Sequence, residues 1–145
     1  MGVHIQCVKT GTEETITYIG MFKFRLKLAE LCCSELGVAY DDLFSFAART
    51  DDMAAKELFY DAYNDRIDDI VEHYDLDENV VGFLYLSDTD GEIDALTATK
   101  IYEIIKDHYD SENYGYLSED RPVNFADIKK VFCECKKTES NLKWY

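Results

Sequence analysis

The stretch ELFYDAYNDRIDDIVEHYD, residues 57–75, decides how the rest of the chain is read. Advanced at the helical period, Phe59, Tyr63, Ile67, Ile70 and Tyr74 fall in one arc. Glu57, Asp61, Asp65, Asp68 and Glu72 fall in another, about opposite. The pattern predicts an amphipathic helix over roughly 52–74, capped by Asp51 or Asp52. At the helical rise the carboxylate row spans about 22 Å. Solvated helix faces usually interleave Lys and Arg with their acids, because like charges at i,i+4 cost about 0.2–0.5 kcal/mol each. Here only Lys56 and Arg66 occur within 52–74. Two readings therefore stand: a solvated face, or an anionic surface built to be recognised.

The charge of the whole chain is consistent with the second. Of the net −15, residues 41–94 contribute −14, from seventeen acids and three bases. Residues 1–40 are neutral and residues 95–145 carry −1. Such local concentration marks a surface and not a general acidity. With 145 residues, 47% of them hydrophobic, the chain suits one globular domain, 1–145, and not a disordered acidic tail. No apolar run reaches membrane-span length and no signal-like segment opens the sequence, so a cytoplasmic location in a bacterial host is expected. The five cysteines, an odd number, are expected to be reduced thiols, with no cofactor or zinc.

Outward from the acidic helix, VHIQCVK (3–9) reads as a strand and ITYIG (16–20) as a second short one. A helix is predicted over 21–37, with Phe22, Leu26, Ala29 and Cys33 on one side and Gly37 as its stop. DDLFSFAAR (41–49) reads as a short helix. VVGFLYLSD (80–88) reads as a strand. A helix follows over 94–110 with Leu96, Ile101, Ile104 and Ile105 inward, then a tyrosine-bearing loop over 111–121. The last helix, near 124–137, turns Phe125, Ile128 and Phe132 inward, and LKWY closes the chain as a strand. The sum is an α-rich α+β domain with four to five helices and a small sheet.

SDTDGEID has part of a calcium-loop pattern. Gly91 stands at the sixth position, with Asp88 and Asp90 at the third and fifth. Leu86 and Thr97 occupy the first and twelfth, where ligands are required. Asp88, Asp90, Glu92 and Asp94 are thus weak calcium candidates, and an acidic turn capping the next helix is the alternative. No nucleophile elbow, phosphate-binding loop or zinc-protease motif occurs. His4, His73 and His108 lie in unrelated contexts.

The MGxxI opening, the SDTDGEI turn before a helix and the CKKTESNLKW ending resemble a group of small uncharacterised bacterial and phage proteins. Those often carry a His-Ser-Asp-Cys-Asp-Gly-Glu turn; Leu86 and Thr89 stand here in place of the His and Cys. The resemblance implies no activity. In composition and charge placement the chain also looks like the acidic, tyrosine-rich phage inhibitors that block restriction or CRISPR nucleases. Interleaved Tyr40, Tyr60, Tyr63, Tyr74, Tyr109, Tyr114 and Tyr116 would add contact area where exposed.

The expectation is a non-enzymatic, cytoplasmic protein that binds a basic nucleic-acid-binding partner, such as a nuclease, by nucleic-acid mimicry, without touching nucleic acid or membrane itself. Its binding residues would be Glu57, Asp61, Asp65, Asp68, Asp69 and Glu72, with Asp75, Asp77 and Glu78 in support. A weak calcium-binding or general interaction domain is the first alternative. A small hydrolase or ligand-sequestering protein with a pocket assembled from distant residues is the second.

Overall fold

A computed structural model describes residues 2–47, 51–117 and 122–145. Residues 48–49 of the expected short helix and 118–121 of the expected loop lie outside them. The protein is α+β, with six helices and one antiparallel sheet among the described residues. The strands are β1 (Gly2–Cys7), β2 (Glu13–Thr17), β3 (Gly91–Ile93) and β4 (Leu142–Trp144). Their order is β2-β1-β4-β3, so the C-terminal strand lies between the first strand and the third. Register pairs Ile5 with Trp144 on one side of β4 and Gly91 with Trp144 on the other.

The helices are α1 (Tyr18–Cys32), α2 (Ser34–Ala47), α3 (Met53–Tyr74), α4 (Glu78–Phe83), α5 (Ala95–Ile105) and α6 (Phe125–Thr138). In β1 the side chains alternate, burying Val3, Ile5 and Cys7, as a strand with one covered face requires. α6 and α1 contribute the opposing apolar surface. Phe24 of α1 meets Phe83, Phe125 and Phe132, with ring centroids 5.5–6.4 Å apart. Phe125, Ile128 and Phe132 are buried as expected. The capping box at Asn124 and Asp127 opens α6 where the sequence places it.

Five expectations are corrected. α1 begins at Tyr18, because the Thr17 hydroxyl accepts from the Gly20 amide at 2.8 Å and caps the helix. The expected second strand therefore ends at Thr17. α1 breaks at Cys33, whose backbone is extended, and α2 runs through Gly37. Gly37 is not a helix stop; a Cβ there would lie 2.5 Å from Glu30 of α1, so the glycine permits close helix packing. The buried side of α1 is Met21, Phe24, Arg25, Leu28 and Ala29, with Phe22 and Leu26 only partly covered. Residues 80–88 are not a strand. The Asp77 carboxylate accepts from the amides of Asn79 and Val80 and starts α4, which buries Val80, Val81 and Phe83. This is the sixth helix. Finally, α5 ends at Ile105, and Leu96 on its first turn is 61% exposed.

α3 lies at the edge of this assembly. Only Tyr63, Ile67 and Ile70 of its 22 residues are fully buried. Asp52 caps it, accepting from Ala54 and Ala55. It ends at Asp75, which adopts the left-handed conformation (φ 50°), while the Leu76 amide donates to Val71 O at 3.0 Å.

Candidate functional site

The outward position of α3 makes its polar side the most charged surface described. Glu57, Asp61, Asp65, Asp68, Asp69 and Glu72 are all exposed, as are Asp75 and Glu78. Among the described residues, none of these eight forms an ion pair with Lys, Arg or His. Arg66, one of the two bases within 52–74, pairs with Asp42 of α2 at 2.9 Å and with none of the eight. The ninth expected residue, Asp77, differs in kind. Its carboxylate caps α4 and accepts from Lys100 Nζ at 2.6 Å, and the Lys100 hydrogen bond holds its pKa below the ordinary carboxylate value. Asp77 therefore serves α4 and its junction with α5 and is not part of the unpaired set.

The row is a crest between two grooves. On one flank a groove of about 770 Å³ runs against the start of α2. Asp65, Asp69 and Glu35 line it together with Val38, Ala62 and Ile70, of which only Ile70 is buried. Here charge is partly engaged: Glu35 accepts from the Tyr74 hydroxyl at 2.7 Å, and Arg66 lines the same groove. The other flank, against α4, holds a groove of about 750 Å³. Asp68, Glu72, Asp75 and Glu78 line it, over Ile67, Val71, Leu76 and Val81. The grooves were not legible in the sequence, because the second requires α4 to be a helix. The Asp77 cap followed by apolar 80, 81, 83 and 84 was the available signal.

The second acidic segment behaves differently. Arg25 is fully buried, with its guanidinium between the rings of Phe83 (5.0 Å) and Trp144 (5.8 Å). Nη1 donates to Leu86 O at 2.9 Å and to Asp88 Oδ1 at 2.6 Å, and Nη2 donates to Ser87 O at 3.2 Å. Burial pushes the Arg25 pKa down, and Tyr40 and Asp88 oppose that shift. Asp90 accepts from the hydroxyls of Ser87 and Thr89, Glu92 from Asn141, and Asp94 from the Thr97 amide. The four weak calcium candidates are thus engaged separately, each with a different partner. Among the described residues, no three His, Cys, Asp or Glu side chains are grouped to hold a metal ion. Gly91 also has a structural reason: a Cβ there would sit 2.3 Å from the Trp144 ring. The three motifs that carry the resemblance meet at this tryptophan, through Ile5, Gly91 and the tail itself. Trp144 Nε1 completes the unit by donating to Ser87 O at 2.9 Å.

The tyrosines divide. Tyr40, Tyr63 and Tyr114 belong to the core, and the hydroxyls of Tyr63 and Tyr85 bond to each other at 2.7 Å. Tyr60, Tyr74 and Tyr109 remain exposed. All five cysteines are unbridged; Cys7 and Cys135 are buried. No helix among the described residues is long and apolar enough to cross a membrane. Comparisons with protein-family models, with curated proteins and with solved structures return no match.

Proposed function

We propose that the chain is a non-enzymatic inhibitor, of the kind carried by phages and mobile elements, that occupies the nucleic-acid-binding surface of a basic host defence protein. The observation that carries this reading is the unpaired crest on α3. Successive i,i+4 carboxylates on a helix lie about 6 Å apart along its axis, a spacing comparable to that of phosphates along a nucleic-acid strand. The carboxylates are exposed along one continuous helix of 22 residues, so their spacing is set by the backbone and little entropy is lost when it docks. A partner that grips phosphate with Lys and Arg would form charge-assisted hydrogen bonds to it.

The test uses purified basic nucleases, restriction and RNA-guided, presented to immobilised wild type and to the Asp61→Asn/Asp65→Asn/Asp68→Asn variant. At least one nuclease should be retained by wild type, displaced by duplex DNA and released by salt, since exposed charges are screened within about 8 Å at physiological ionic strength. In the variant, the absence of each desolvated, charge-assisted hydrogen bond should weaken binding by about 1.5–3 kcal/mol. Retention that duplex DNA does not disturb, or that the triple variant shares, would refute mimicry.

A further inference from the structure

The groove between α3 and α4 has features that a purely electrostatic surface does not need. Its floor is aliphatic: Ile67 and Val71 from α3, Leu76 from the connecting turn and Val81 from α4. Asp68, Glu72 and Asp75 follow at spacings of four and three along one wall, covering about 10 Å, or two helical turns. Glu78 stands on α4, and among the described residues no Lys, Arg or His lines the groove.

Gly82, also in the lining, is the second observation. It lies inside α4, one residue before its end. Its φ is not positive, so the backbone does not require glycine. A Cβ built there meets nothing within 4 Å, so packing does not require it either. Glycine in a helix is unfavourable relative to alanine. Gly82 stands in the last turn of α4, where its carbonyl accepts from the Tyr85 amide at 3.0 Å, a bond that alanine would make equally. What a bare backbone does supply is room for another molecule to approach closely.

We propose that this groove docks a basic amphipathic helical segment of the protein partner, its apolar side chains on the aliphatic floor and its Lys or Arg against the four carboxylates. This deepens the proposed function and rests on its reading of the acidic face as a recognition surface. The occupant follows from complementarity. A floor without aromatic rings offers no cation–π site to a small polyamine. An apolar floor about one turn long on α3, continued by Leu76, between acidic walls suits successive i,i+4 anchors on one face of a helix, and the methylene stems of Lys and Arg extend the apolar surface while their charges reach the rim.

The probes are a Leu/Lys peptide with leucines at helical spacing, a peptide of the same composition in scrambled order, oligolysine and spermidine. Each is titrated by calorimetry into wild type, Gly82→Leu and Gly82→Ala. The periodic peptide should bind wild type about tenfold or more tighter than the scrambled one. Gly82→Leu, which adds bulk to the groove lining and changes no charge, should lose that preference, while Gly82→Ala, which adds one methyl group, should lose part of it and unfold at a higher temperature than wild type. A spin-labelled periodic peptide should broaden the NMR signals of Val71, Leu76 and Val81 in wild type, which tests the site without any substitution. Equal binding of periodic, scrambled and oligolysine peptides, unaffected at Gly82, would overturn the groove while leaving the acidic recognition surface intact. Absence of binding by every cationic probe would overturn both. Spermidine binding as tightly as the periodic peptide would overturn the helical occupant.

Discussion

Residues 57–78 and residues 88–94 are both rich in acids in sequence and opposite in structure. In the second segment each carboxylate has an internal partner: Asp88 with Arg25, Asp90 with two hydroxyls, Glu92 with Asn141, and Asp94 with the α5 amide that it caps. In the first, only Asp77 is engaged in that way. The contrast shows that acid content carries no functional information until partners are assigned. Carboxylates that satisfy buried donors or helix ends stabilise a fold. Carboxylates left on an exposed crest repel one another, and only an outside partner relieves that repulsion.

The comparison breaks most severely at Arg25. Arg25→Met removes a buried cation that donates to two carbonyls and to the half-exposed Asp88, and should destabilise the protein by about 1.5–3 kcal/mol in chemical denaturation, through the lost charge-assisted hydrogen bonds. A loss below about 1 kcal/mol would mean that the 86–90 turn does not depend on it. The glycines come next. Gly91→Ala forces a methyl group into Trp144 and should cost about 1–3 kcal/mol, whereas Gly82→Ala in the open groove should gain about 0.5–1 kcal/mol. Thermal unfolding of the pair side by side measures both signs, and shifts in the same direction would erase the distinction.

Asp77 sharpens the contrast through pH. Its folded pKa lies below its ordinary value of 3.8, chiefly through the Lys100 hydrogen bond. The stability it contributes is therefore fully present above pH 3.8 and is lost as pH falls through the lower folded value. Asp77→Ala should cost about 1 kcal/mol at neutral pH, through the missing cap, and the gap to wild type should close on acidification. A gap that stays constant from neutral pH to below the folded value would show that the carboxylate is not engaged. The smallest effect belongs to the crest. Replacing Asp61, Asp65 and Asp68 by Asn should leave stability unchanged or raise it by about 0.2–0.5 kcal/mol for each like-charge pair relieved. Circular dichroism melts that fall by several degrees would place these carboxylates among the structural ones.

Features that depend on neighbours within a turn or two are legible in the residue order alone. The α3 boundaries, its Asp52 cap and its split into apolar and acidic faces all follow from helical periodicity and local hydrogen bonding. So do the α6 cap and the β-strand alternation at Val3, Ile5 and Cys7. Other features exist only once distant segments pack. A short apolar run such as 80–84 carries no periodicity that separates a buried strand from a buried helix, and packing against Phe24 and Trp144 goes with the helix. Arg25 reads as one base among several until Leu86, Ser87 and Asp88, more than sixty positions away, close around it. The grooves flanking the acidic crest arise the same way, from α2 and α4 meeting α3. A local pattern says which side of a helix faces out, but only the packed chain says what stands beside it.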